Sequence, residues 1–296
     1  MWSADEGRRR AGFTLIEVMV ALVLAVLLGG VIFQVLRGES RFVTVQSARQ
    51  EVQQNARGAL EILASELRAA QSFGLVNANA NSITFLLPRA WGISCGGGSA
   101  VQATALFPDQ ADPGVMFTIN NASGMMGNIG TLDIPNWSGN PNAGNMGSVT
   151  AVANIDLSAA GNACAAIRPT GANAGVIRGM TMTGTNLPIV PQGNQLYLYQ
   201  WVQYDVAQTN GEWWIRRSFG VANNGNPQPL AGPLTGSTGL AFTYWNAAGN
   251  ALAVPGNNAA LLQQVARIGI TVSAASRSQG RTNLTDTQSA SVQMRN

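Results

Sequence analysis

Gly12, Phe13 and Glu17 are the residues whose types and spacing bring chemistry to mind first. Arg8, Arg9 and Arg10 precede them, and between Phe13 and Leu36 the only charge is Glu17. An ordinary secretory leader is cut after its apolar core, behind small residues. Here the small residue, Gly12, stands before that core. A cut between Gly12 and Phe13 leaves the apolar stretch on the mature chain, creates an amino group on Phe13 and sets the Glu17 carboxylate at the fifth mature position.

Those residues need a membrane-spanning element to position them. The 24 residues from Phe13 to Leu36 rise by about 1.5 Å each, so a helix of about 36 Å results, long enough to cross a bilayer. The three Arg before it orient that end towards the cytoplasm, which puts everything after Leu36 in the periplasm. A charge at the centre of a membrane helix costs about 2.5–3.5 kcal/mol, and less near its edge. A plain signal anchor that tolerates one acid near its end is therefore the alternative to a dedicated site.

The run Arg8-Arg9-Arg10-Ala11-Gly12-Phe13-Thr14-Leu15-Ile16-Glu17-Val18 resembles the class III leader of type IV prepilins. The resemblance implies a leader peptide over residues 1–12, removed by a prepilin peptidase that cuts between Gly12 and Phe13 and methylates the new Phe13 amine. It implies that Glu17 is the subunit-assembly residue, its carboxylate answering the terminal amine of a neighbouring subunit inside a helix bundle that excludes water. The partners it implies are the membrane, other minor and major pilins, an inner-membrane assembly platform and a cytoplasmic ATPase. The implied location is the inner membrane, single-pass with the head in the periplasm, and then the pilus, at its tip.

Composition removes other chemistries. All 17 basic residues are Arg, with neither Lys nor His in the chain. That excludes Ser-His-Asp and Cys-His sites, Schiff bases, a P-loop lysine and His-ligated metal. The acids after the helix (Asp109, Asp112, Asp133, Asp156, Asp205, Glu212 and Asp286) are scattered, so a carboxylate pair of the glycosidase kind is not expected either. No enzyme, cofactor or metal is expected. The net charge of +3 falls to +2 when residues 1–12 take away three Arg and two acids, too little to argue nucleic-acid binding. Arg216-Arg217 beside Trp213-Trp214 could stack on bases and contact phosphate, although an ordinary strand with alternating faces accounts for the same residues.

Cys95 and Cys164 both lie beyond the membrane helix. An even pair in an oxidising compartment reads as a disulfide, with two reduced, buried thiols as the alternative.

After Leu36 the helical period continues. Phe42, Val45, Ala48, Val52, Ala56, Ala59, Leu60, Leu63, Leu67 and Ala70 recur every three or four residues, which predicts an amphipathic helix over 37–72. Gly29-Gly30 marks either a place where the membrane half unwinds, as the pilin resemblance implies for a packed filament, or a site of close helix packing. A β-rich head over 73–296 follows. Ser82–Leu87 and Val115–Ile119 read as strands, while the Gly-, Asn- and Ser-rich region 90–194 reads as long loops with a few short strands. Gln195–Val206 alternates Leu196, Leu198, Val202 and Tyr204 against Tyr197, Tyr199 and Trp201, and Asn210-Gly211 supplies a hairpin turn. Trp213, Ile215, Phe219 and Val221 share one face of the returning strand, with Arg217 as the exception on it. Gly239–Trp245, Gln264–Ser273 and the segment from Ser289 to the end read as further strands.

The expected fold is therefore α+β, a long N-terminal helix packed through its amphipathic half on an antiparallel β-sheet head, pilin-like. The Tyr-Asp strand, Asn-Gly turn and Arg-Arg strand of Val202–Phe219 are similar to PilW-type minor pilins and to J-type pseudopilins of type II secretion. The function this implies is a minor pilin that primes or caps a type IV pilus. The alternatives are a type II secretion pseudopilin and a tip adhesin or DNA-binding module.

Overall fold

The computed structural model describes residues 14–70, 74–108, 125–128, 146–159, 161–168, 177–187, 189–219, 227–276 and 284–294. Gly12, Phe13, Ser72, Val115–Ile119, Asp109, Asp112, Asp133 and Val221 lie outside them. Helix α1 runs from Leu15 to Ala69 without a break. The chain divides within it into two compact units, Met1–Gln50 and Glu51–Asn296.

In the first unit the helix carries the apolar run, one stretch long and apolar enough to span a membrane, with none of it buried. Gly29 and Gly30 are helical, so no unwinding exists in the free chain. A Cβ at either would meet nothing within 4 Å, which leaves room there for another helix to approach.

In the second unit the same helix has a partner. Val52, Ala56, Ala59, Leu60, Leu63, Ala64, Leu67 and Ala70 are buried. They face a core made by the antiparallel strands β1 (Leu75–Ala78), β2 (Ile83–Ser94), β7 (Gln195–Thr209), β8 (Glu212–Phe219), β9 (Gln228–Leu234), β10 (Leu240–Trp245) and β12 (Arg267–Ala275). The hairpin β10–β11 (β11, Ala251–Leu252), the short helix α2 (Ala259–Leu262) and the last strand β13 (Thr285–Gln293) complete this part. Ile268, Ile270 and Val272 alternate into the core as their spacing predicts. The turn between β7 and β8 has positive φ at both Asn210 (53°) and Gly211 (83°), the backbone that a two-residue hairpin of right-twisted strands requires.

The region 90–194 is more regular than its composition predicts. It holds the end of β2 together with β3 (Gln102–Pro108), β4 (Met125–Asn128), β5 (Met146–Ile155) and β6 (Ile177–Thr185). Their pairings close on themselves: β2–β3, β3–β6, β6–β5, β5–β4, β4–β7 and β7–β2, all antiparallel. Alternate residues of these strands fill the ring, among them Ala103, Ala105, Phe107, Met180, Met182, Leu196 and Leu198. The inward positions of β3 and β6 are mostly Ala and Met, small or unbranched side chains, and this is why those two strands give no strong β signal in the sequence. At Gly92 an added Cβ would lie 2.6 Å from the Leu106 carbonyl oxygen and 2.9 Å from the Phe107 ring, so glycine permits β2 to approach β3.

The ladder between β2 and β7 serves both cores. It runs from Ile83↔Tyr204 to Ile93↔Gln195. Phe85, Val202 and Tyr204 at one end belong to the helix-packed core, and Leu196 and Leu198 at the other belong to the ring.

The candidate assembly helix and its anchorage in the head

The first turn of α1 is closed by backbone hydrogen bonds from Glu17 N and Val18 N to the Thr14 carbonyl, at 3.1 and 3.3 Å. The Glu17 carboxylate accepts long, 3.5 Å hydrogen bonds from the Thr14 amide and hydroxyl. A carboxylate in a first turn is favoured by the helix dipole, so Glu17 has a local role in the isolated chain as well. Its neighbours Ile16 and Val18 are exposed. Glu17 is thus the one charge on the exposed, largely apolar stretch from Leu15 to Leu36.

Besides its buried apolar face, the helix is tied to the head by a polar cluster that the sequence did not single out. Glu66 sits among the intervening polar positions of α1, yet its side chain is only 14% exposed. It is ion-paired and hydrogen-bonded to Arg217 of β8, accepts a 2.6 Å hydrogen bond from the Tyr204 hydroxyl of β7, and has Arg89 of β2 at 4.0 Å. A bulge between Pro88 and Ala90 lets Arg89 reach this side of the ladder, where its Nε also donates to Gln200 at 2.9 Å. The Arg217 guanidinium lies 3.8 Å over the Phe219 ring. Burial pushes the Tyr204 hydroxyl far above the ordinary tyrosine range, and the Glu66 charge adds to it. A second tie runs from Asn55 Nδ2 to the Gly232 carbonyl at 3.1 Å.

The Arg-Arg pair considered as a nucleic-acid contact is occupied within the protein. Arg216 makes a two-pronged salt bridge with Asp205, at 2.9 and 2.8 Å, and Arg217 is taken by Glu66. Among the described residues no group of three or more His, Cys, Asp or Glu could hold a metal ion.

Cys95 and Cys164 form a disulfide, with Cα atoms 4.7 Å apart. Both are buried with Leu106, against Ile155, Leu157, Ile167 and Ile177. The segment it fastens is also tied by its own side chains: Asn162 Oδ1 accepts from the Cys164 amide at 2.9 Å, and Arg168 donates to the Leu157 carbonyl at 2.7 Å.

Residues 7–33 match the family model described as the prokaryotic N-terminal methylation motif. The chain is type IV prepilin-like. The match spans Gly12, Phe13 and Glu17 and stops within the apolar run, and with the exposed apolar helix behind it the motif fits a membrane-anchored pilin-like protein. No curated protein and no solved structure is significantly similar to the chain. The fold of this prepilin-like chain, a long helix on a large antiparallel sheet, agrees with a pilin.

Proposed function

We propose that this chain is a minor pilin, a low-abundance subunit that primes or caps a type IV pilus from the inner membrane. The observation that carries the reading is the methylation motif placed directly on an apolar, unburied helix. Phe13 to Leu36 stores the subunit in the bilayer. Cleavage after Gly12 frees the Phe13 amine, and Glu17 guides docking by pairing with the amine of a neighbouring subunit. The size of the head supports a place at the end of a filament: beyond the helix-packed sheet it carries a second core, the six-stranded ring, which a repeating shaft would have to accommodate at every subunit. Prepilin peptidase, the assembly platform with its ATPase, and other pilins are the partners of this reading.

The test is deletion of the gene, scored together for surface pili, twitching and protein secretion. Loss of pili with secretion intact is the expected result. Loss of secretion with pili intact would transfer the chain to a type II secretion filament.

A further inference from the structure

The outer edge of β13 is left unused by everything above. β13 is matched to β12 through an unbroken register, from Arg267↔Gln293 to Ala275↔Thr285, with no bulge. Among the described residues no strand pairs with its other edge. Natural sheets guard such edges with charges, proline, bulges or very short strands. β13 carries only one of these, a single charge, Asp286, near one end; it is nine residues long, with no proline and no bulge. Its exposed face is flat, because Thr287 and Ser289 are small and their hydroxyls are engaged by Ser273 and Thr271 of β12, at 2.9 and 3.2 Å. On the other face Val292 is buried in the helix-packed core.

We propose that the β13 edge is a docking strand, which takes an extended strand from the head of a different membrane-anchored, prepilin-like subunit and continues the sheet. The inference rests on the membrane-anchored reading of the chain. A row of edge donors and acceptors, otherwise hydrated, is matched group for group by another extended backbone. The occupant follows from area. One strand edge offers far less than the roughly 1,000 Å² expected of a specific complex between free proteins, so the contact forms only where a partner is already concentrated beside it. The apolar helix confines this chain to a membrane plane and does the same for any co-assembling subunit, whereas a soluble peptide gains nothing from it. With one charge at its end, the strand selects by shape: a small side chain next to Ser289 and an apolar one next to Val292.

The native cysteines are joined to each other and buried, so an added thiol reports alone. Full-length Ser289→Cys and Ser291→Cys chains are produced in cells with the complete assembly system, labelled with a thiol-linked photocrosslinker and irradiated. Thr150→Cys, exposed on β5 of the ring, is the control. The expected result is one adduct from both β13 positions, identified by mass spectrometry as another prepilin-like subunit, with none from Thr150→Cys. Adding Thr287→Lys and Ser291→Lys to Ser289→Cys should abolish the adduct while the melting temperature and leader removal stay unchanged. An adduct containing only a second copy of this chain, or equal labelling from all three positions, overturns the proposal. Leader removal is read in the same cells: a cleaved chain without an adduct defeats the docking edge, and an uncleaved chain that still forms the adduct defeats the prepilin reading instead.

Discussion

Glu66 is the residue on which three elements converge, and removing its charge would take from the Arg217 guanidinium its carboxylate partner on α1. Breaking one partner of a buried ion pair costs about 3–5 kcal/mol, and the residual exposure of Glu66 and Arg217 places Glu66→Ala at the lower end, about 3 kcal/mol, in denaturant unfolding of the head. Glu66→Gln keeps an acceptor for Tyr204 and should cost less. A change below about 0.5 kcal/mol for the alanine variant would show that the cluster does not secure the helix. Arg217 was the apolar-face exception in the sequence, and such an exception is where a partner should be sought. Glu66 was not legible, because a lone acid on the polar side of a helix looks solvated until the strands that cover it are known.

Tyrosines set the alkaline limit. Tyr199, Tyr204 and Tyr244 are all raised above the ordinary value of 10.0, mainly by burial. A group raised in the folded state holds its proton there after the unfolded chain has lost it, so the unfolded state is favoured as pH climbs. The stability they contribute is whole below about pH 10 and is lost as pH rises above it. The melting temperature should be flat from pH 8 to 10 on this account and should drop beyond that, in step with tyrosinate absorbance. Glu17 is the remaining residue to be tested. Glu17→Val should insert and be cleaved normally while its recovery in sheared pili falls about tenfold, the equivalent of about 1.4 kcal/mol. Undiminished recovery at normal cellular level would remove the carboxylate from assembly.

Among the elements, the second half of α1 is held by burial as well as by charge. Leu63 is fully buried, and Leu63→Ala should cost about 2–5 kcal/mol, less if neighbours collapse into the space. The disulfide spans 69 residues, for which loop-closure entropy gives about 4 kcal/mol. Replacing both cysteines with Ala should lower the unfolding free energy by about that amount, and two titratable thiols in protein taken from the periplasm would contradict the bond. Strands β7, β10 and β12 were legible because each presents branched or aromatic residues at every second position to the helix-packed core. The ring strands β3 and β6 were not, since Ala103, Ala105, Met180 and Met182 fit a narrow interior without the branching by which strands are recognised. The Asn210-Gly211 turn was legible because its chemistry is local.

At the scale of the molecule, the N-terminal motif and the apolar run were readable without any structure, since their meaning lies in spacing along the chain. Closure of six strands was not, because it depends on β4 reaching β7, a pairing between segments about 70 residues apart. The ladder between β2 and β7 has a thermodynamic consequence. Each core uses it as a wall, so neither core can open without disturbing the other, and the two should melt as one cooperative unit. Amide protons of residues 84–87 and 200–204 should then be among the last in the head to exchange with deuterium, at rates set by global unfolding. Proton loss there that ran well ahead of global unfolding would mean that the ring can detach while the helix stays docked.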